Sequence, residues 1–294
     1  MDAPYRVQLG IIGGSGLYHM EGVEELRRHA IDTPFGAPSD DVIEFGLGDK
    51  VFYFIPRHGS DHTLTPSEVN YRANVYALKS LGVTHLLGIN ACGIMTEAIR
   101  PGDVVIPDQI IDRTKGLRPS SFFGGGIVGH VGFADPFSGE LRRLLIRAAH
   151  EESQGVHDSG CYVCMEGPQF STRAESAYYR QTMNPTLIGM TALPEAKLAR
   201  EAEMAYAILA LATDYDCWHE SEADVSVGAV IEVVRANTAL ANAIVRRLLA
   251  ILPAESQDPC LEAARHAIIT APHAIPGERR RALRLLYGRY FGDE

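Results

Sequence analysis

VQLGII at residues 7–12 runs directly into GGSG at 13–16, an apolar run handing over to a glycine-rich turn. Short apolar runs recur downstream: VFYFI at 51–55, THLLGI at 84–89, DVVIPD at 103–108 and TLIGM at 186–190. Stretches with helical signals lie between them, and such alternation predicts an α/β sheet. In PSEVNYRANVYALKSLG, Pro66 and Ser67 open a helix and Gly82 closes it. The T-x-x-E pattern of Thr172 and Glu175 predicts a capped helix from Thr172 to Thr182. Asp224 or Ser226 is placed to cap a long amphipathic helix reaching about Leu252.

The sequence shows no repeat, low-complexity tract or linker before residue 253. Residues 1–252 therefore read as one domain, and 253–294 as a helical extension packed on it or on a neighbouring subunit. The arginines at 279–281 read as a solvated helix face, not a nucleic-acid patch.

With 294 residues, 46% of them hydrophobic and 22% charged, the chain can bury a full core. A net charge of -10 repels nucleic acid and anionic membranes, so a bound phosphate requires specific local donors. No apolar run reaches the ~20 residues of a membrane span, and MDAPYRVQLG lacks a signal-peptide pattern, so a cytoplasmic protein is expected. Cys161 and Cys164 have the spacing of a metal or redox pair. They sit in the extended run CYVCM, where they face opposite ways, so buried free thiols are expected.

The chemistry-bearing residues cluster where strands end. Gly13, Gly14, Ser15 and Gly16 can bring backbone N–H groups and a hydroxyl to a phosphate. A dinucleotide fingerprint would need a third glycine where His19 stands. Arg57 and His58 follow the second strand and offer a guanidinium fork and an imidazole. In GINACGIM, Ala91 and Gly93 are small enough for close backbone approach, and Asn90 can orient phosphate or ribose. Glu166 ends a strand before the GPQF loop, where Phe170 lies ready to meet a flat ring. Thr191 is a further phosphate donor, and the Met190 thioether suits the apolar face of a sugar.

In ATDYDCW, Asp214 and Asp216 project to one side if the chain is extended. Two adjacent carboxylates repel, so one keeps its proton more readily and the pair offers a donor and an acceptor. Such a pair suits the amino group and imidazole-side nitrogen of a 6-aminopurine. A helix cap, a surface turn or a divalent-metal site are the competing readings, and DYD lacks the nearby oxygen ligands that magnesium or calcium needs.

In order, GGSGL, TPFG-x-PSD, RHG-x-x-H, VNYRAN, ACG, PGD, EGPQFS-x-RAES, MT-x-x-PE and ATDYDCW resemble the methylthioadenosine phosphorylase branch of the purine nucleoside phosphorylase family. The match runs from about residue 9 to 250. The resemblance implies a single α/β domain with a central mixed sheet flanked by helices, a homotrimer, and sites near subunit interfaces. It assigns phosphate to Ser15, Arg57, His58, the Ala91 backbone and Thr191, ribose to Met190, and base stacking to Phe170. Asp214 and Asp216 would read the purine, with Asp214 nearest leaving-group activation. Val227 and Val230 would face the 5′ substituent, joined by His130, donated by an adjacent subunit. Asn90 departs from the pattern, since methylthioadenosine enzymes often carry Thr there. The implied partners are a nucleoside and inorganic phosphate as co-substrate, with no cofactor or metal. Rival readings are a phosphorylase of adenosine, 5′-deoxyadenosine or methylthioinosine, a nucleosidase using water, and a nucleoside-binding protein without turnover.

Overall fold

The computed structural model describes residues 3–14, 20, 22–219 and 227–292, with the side chains of 227 and 229–236 outside the description. Among the described residues the strands are β1 (Tyr5–Arg6), β2 (Leu9–Gly13), β3 (Glu24–His29), β4 (Val42–Leu47), β5 (Lys50–Pro56), β6 (His85–Ile94), β7 (Val104–Val105), β8 (Gln109–Arg113), β9 (Val156–His157), β10 (Cys161–Met165), β11 (Leu187–Gly189), β12 (Ala205–Asp214) and β13 (Glu255–Ser256). The helices that cover them are α1 (Tyr71–Ser80), α2 (Gly139–Glu152), α3 (Arg173–Tyr178), α4 (Ala192–Glu201) and α5 (Val227–Ile251), with α6 (Gly277–Ala282) and α7 (Arg284–Tyr287) in the tail.

Eleven strands make one mixed sheet in which β3, β4, β5, β2, β6, β11, β10 and β8 lie side by side. The apolar runs are uninterrupted because both faces of the sheet are covered. Along β12, Tyr206, Ile208, Ala210 and Ala212 pack on one core with α1 and α4, whereas Ala207, Leu209 and Leu211 pack on the other with α2 and α5. A period of two thus sorts one hydrophobic run into two cores.

The long strand β6 sets the position of the site. One of its edges pairs with β12 from His85 to Gly93. The other pairs in parallel with β2 only as far as Gly88, and antiparallel with β11 at Gly93 and Ile94. Residues 89–92 on that edge are left between the two partners. Open sheets place ligand sites where strand direction or order changes, because neighbouring connections diverge there.

Helix boundaries differ in detail from expectation. Helix α1 starts at Tyr71, capped by the Asn70 side chain accepting from Ala73 N–H, because Pro66 and Ser67 are used in a turn upstream. The Thr172–Glu175 capping box is present, but α3 gives way after Tyr178 to a π-helical turn through Met183. Asp224 and Ser226 lie outside the described residues.

The tail adds β13, which pairs with β1, and contributes Leu283, Leu286, Tyr287 and Phe291 to the main core. Glu203 anchors it by accepting from Tyr290 Oη at 2.6 Å and Arg289 Nη2 at 2.6 Å. Arg279 and Arg280 are not a free cationic face: they donate to the carbonyls of Phe122 and Pro272, at 2.6 and 2.7 Å.

Candidate active site

Arg57 leaves the end of β5 and is almost fully buried. Its Nε and Nη2 donate to the two Glu195 carboxylate oxygens at 2.9 and 3.1 Å. Nη1 donates to the Ile89 carbonyl and Nη2 also to the Ile12 carbonyl, both at 3.0 Å. Burial alone would weaken proton binding by Arg57, but Glu195 raises it well above its ordinary range. The fork that the sequence offers to phosphate is therefore committed to Glu195, whose buried charge requires a partner. One Nη1 N–H remains for a ligand.

Glu195 also accepts from Tyr206 Oη at 2.7 Å. Gly88 makes room for this junction, since a Cβ there would sit 2.5 Å from Tyr206 Oη and 2.9 Å from Glu195 Oε1.

His58 donates from Nδ1 to the Leu64 carbonyl at 2.8 Å, because a carbonyl only accepts. Burial first, and then the Arg57 charge, pushes its pKa down to about 4. The neutral ring so held presents Nε2 as an acceptor.

Asn90 is buried on β6 and donates from Nδ2 to Thr191 Oγ1 at 2.6 Å, while its Oδ1 has no partner among the described residues. Thr191 stands at the N-cap of α4 without making a cap bond, so its own O–H is available for a ligand. Ala91, between them and Gly93, is exposed on the open edge of β6. Gly14 is exposed at the end of β2, and Ser15 lies outside the described residues.

The carboxylate pair forms at the end of β12, though not by extension. A β-bulge between Ala212 and Asp214 shifts the register against β6 and re-aims Asp214. Asp216 has φ 53°, a left-handed conformation, so its N–H turns back to Asp214 Oδ1 at 2.9 Å. Thr213 Oγ1 donates to Asp214 Oδ2 at 2.6 Å. Burial raises both carboxyls above their ordinary range, and for Asp214 the Asp216 charge adds to it. The loop is fixed by Trp218, whose Nε1 donates to the Ile94 carbonyl at 2.6 Å under the Arg180 guanidinium.

Glu166 follows β10 and is buried. Its carboxylate accepts from Ser67 Oγ, from Arg118 Nε at 2.8 Å and from the Lys115 amide at 2.6 Å. Burial would raise its pKa, but these three donors hold it below the usual range. Gly167 has φ 68°, and a Cβ there would collide with the Met190 thioether, so Met190 lies beneath the loop carrying Phe170. Phe170 itself is 40% exposed.

His130 stands apart. Its N–H donates to the Ala267 carbonyl at 2.9 Å and its side chain is exposed, outside the bonds that knit the site together among the described residues. Val227 and Val230 lie on the first turn of α5, but their side chains are outside the description. Four contributors carried no sequence signal strong enough to single them out as site groups: Arg118, Glu195, Tyr206 and Trp218. Glu195 and Trp218 lie inside marked segments, MT-x-x-PE and ATDYDCW, but neither had a role assigned to it there.

The Phosphorylase superfamily model matches residues 8–250. A Geobacter sulfurreducens protein named S-methyl-5′-thioadenosine phosphorylase is 52% identical over 282 residues, covering 96% of this chain and 98% of its own length. The chain belongs to the S-methyl-5′-thioadenosine phosphorylase family. The fold of this phosphorylase agrees with that of a methylthioadenosine phosphorylase from an antarctic soil metagenomic library, with a TM-score of 0.90 at 46% identity, over 96% of this chain and 99% of the other. It is also similar to methylthioadenosine phosphorylase from Schistosoma mansoni in complex with adenine, with a TM-score of 0.82 at 39% identity, over 88% and 96% of the two chains. The phosphorylase is thus an enzyme of pentosyl transfer, built as an α/β domain with a mixed sheet.

Proposed function

We propose that this enzyme cleaves S-methyl-5′-thioadenosine with inorganic phosphate, releasing adenine and 5-methylthioribose 1-phosphate. The observation that carries the reading is the carboxyl pair Asp214 and Asp216, half-buried and buried respectively beside Gly93 of β6 and raised above the ordinary range, in a chain of this family. A carboxyl that keeps its proton can donate to the imidazole nitrogen of the leaving purine, while its neighbour accepts from the exocyclic amine.

The C1′–N9 bond breaks with its electron pair going to the base, and a phosphate oxygen bonds to C1′. Positive charge that develops on the ribosyl ring is balanced by phosphate from below. Phosphate is held by the remaining Arg57 N–H, His58, the Thr191 hydroxyl, the Ala91 backbone and Ser15, with the proton on phosphate passing to the base side over the turnover. Neutral His58 meets a protonated phosphate oxygen through Nε2, and a phosphate dianion beside it would favour the cation instead. Asn90 orients Thr191. Met190 lies against the ribose and Phe170 against the base. Val227, Val230 and His130 of an adjacent copy form the 5′ pocket, where an apolar wall costs an unpaired 5′-hydroxyl about 1 to 3 kcal/mol and accepts a methylthio group.

The reading includes a homotrimer, supported by an exposed His130 that takes no part in the bonds knitting the site together among the described residues. No metal or cofactor takes part, and the enzyme acts in the cytoplasm. No helix of the described residues is long and apolar enough to cross a membrane.

The test is base release from methylthioadenosine, adenosine and methylthioinosine, each with and without phosphate. Phosphate-dependent adenine release, fastest from methylthioadenosine, is expected. Preference for methylthioinosine would overturn the role of the Asp pair, and release without phosphate would overturn phosphorolysis. Sedimentation equilibrium checks the assembly of the 32.1 kDa chains, with His130→Ala lowering methylthioadenosine turnover in the trimer.

A further inference from the structure

Between Thr114 and Ser120 the chain runs over the surface, and Arg118 is its one buried residue. Leu117 beside it is 70% exposed, whereas Arg118 is 5% exposed. A loop that sends a single guanidinium inward must satisfy its donors inside. Arg118 does so on two chain segments that carry candidate ligand groups. Nε donates to Glu166 Oε1 at 2.8 Å and Nη2 to the Glu166 carbonyl at 2.5 Å. Nη1 donates to the Met190 carbonyl at 2.5 Å and to the Leu193 carbonyl at 2.8 Å.

Those acceptors flank the proposed ligand contacts: Glu166 begins the loop that carries Phe170, and Met190 and Leu193 bracket Thr191. The Glu166 carboxylate reaches a third segment, because Ser67, in the turn after His58, donates to the same Oε1 that Arg118 holds. Base loop, ribose and phosphate strand end, and phosphate turn therefore meet at one ion pair.

We propose that Arg118 is a positioning residue that locks the purine side of the site to its phosphate side, an inference that rests on the function proposed above. The guanidinium is planar, and its fork spans acceptors on separate segments at fixed angles. A lysine ammonium is a point charge on a flexible stem and cannot bridge them. Loss of the bridge lets Phe170 and Thr191 drift relative to one another while the sheet and both cores remain. Misplacement of reacting groups by about 1 Å costs on the order of 100-fold in rate.

The experiment compares wild type with Arg118→Lys and Ser67→Ala by steady-state kinetics, calorimetric adenine binding and thermal unfolding. For Arg118→Lys, kcat is expected to fall roughly 10- to 100-fold and the KM for phosphate to rise, with adenine bound about tenfold more weakly. These changes should appear in protein that is fully folded at the assay temperature, and Ser67→Ala, which removes one tether and keeps the ion pair, should show the same pattern more weakly. Wild-type kcat, KM and adenine affinity in Arg118→Lys would overturn the proposal, as would losses in both variants that merely follow the unfolded fraction. If Arg118→Lys does not fold, Ser67→Ala decides by the same criteria. Wild type that releases no adenine with phosphate would sink the proposed reaction alone, since adenine affinity still reads the lock.

Discussion

The backbone N–H of Asp216 donates to the carboxylate of Asp214 at 2.9 Å, so the two acids are joined through a main-chain turn and not through side-chain alternation on a strand. Asp216 is left-handed at φ 53°, and its charge raises the proton affinity of Asp214 on top of the effect of burial. The coupling predicts a direction. In Asp216→Asn the Asp214 carboxyl should lose its proton at lower pH, so the alkaline limb of kcat/KM against pH should move to lower pH. Asp214→Asn should abolish most adenine-nucleoside cleavage. An alkaline limb that stays in place in Asp216→Asn would remove Asp214 as the proton donor.

Arg57 and Glu195 form a buried ion pair in which Glu195 is fully enclosed. Removing one member leaves the other charge without its partner, which costs about 3 to 5 kcal/mol. Glu195→Ala should therefore show a large loss in urea unfolding and a raised KM for phosphate, because Arg57 is then free to turn away. A loss below about 1 kcal/mol would mean that the carbonyls of Ile12 and Ile89 suffice to hold the guanidinium.

Gly88 should resist enlargement for a steric reason. An added Cβ meets Tyr206 Oη at 2.5 Å and Glu195 Oε1 at 2.9 Å, both in the network that fixes Arg57. Gly88→Ala is expected to cost about 1 to 3 kcal/mol in stability, as overpacking does. Gly132→Ala provides the comparison, since nothing lies within 4 Å of its Cβ position. Equal unfolding midpoints for the two variants would contradict the crowding.

His85 is fully buried, its Nε2 lies 3.8 Å from Glu140, and burial pushes its pKa down to about 4. The unfolded chain binds a proton near pH 6.5, the folded chain only near 4, so stability is intact above pH 6.5 and falls as the pH drops toward 4. At pH 5 the loss from this one group is about 2 kcal/mol. His58, lowered in the same direction, adds to it. Unfolding free energies at pH 7 and pH 5 should therefore differ less in His85→Gln than in wild type. An unchanged pH dependence would show that His85 titrates normally.

Much of the site is legible in the sequence. Arg57, His58, Thr191, Glu166 and Asp214 stand at or just past strand ends, visible where an apolar run stops, whereas Asn90 follows the run THLLGI but lies inside β6, which continues to Ile94. Their partners were not visible. Arg118 lies in KGLRPSS, a polar loop in composition, and only its burial over the Tyr71 ring and against Glu166 separates it from a surface arginine. Tyr206 lies in the apolar run AYAILALAT and Trp218 closes ATDYDCW, and nothing in their spacing reveals that one hydroxyl holds Glu195 and one indole holds the loop after Asp214.

The sequence by itself determined the α/β class, the capping box at Thr172, the free thiols and the order of ligand-bearing segments, because these follow from periodicity and from neighbours a few residues apart. Tertiary structure alone decided which donors remain free. Arg57 spends its fork on Glu195, 138 residues away, and Asp216 reaches Asp214 through a turn beside a bulge. Such outcomes depend on which charges are buried together and on where β6 leaves its edge open between β2 and β11. Those are properties of packed strands, and no local pattern of residues encodes them.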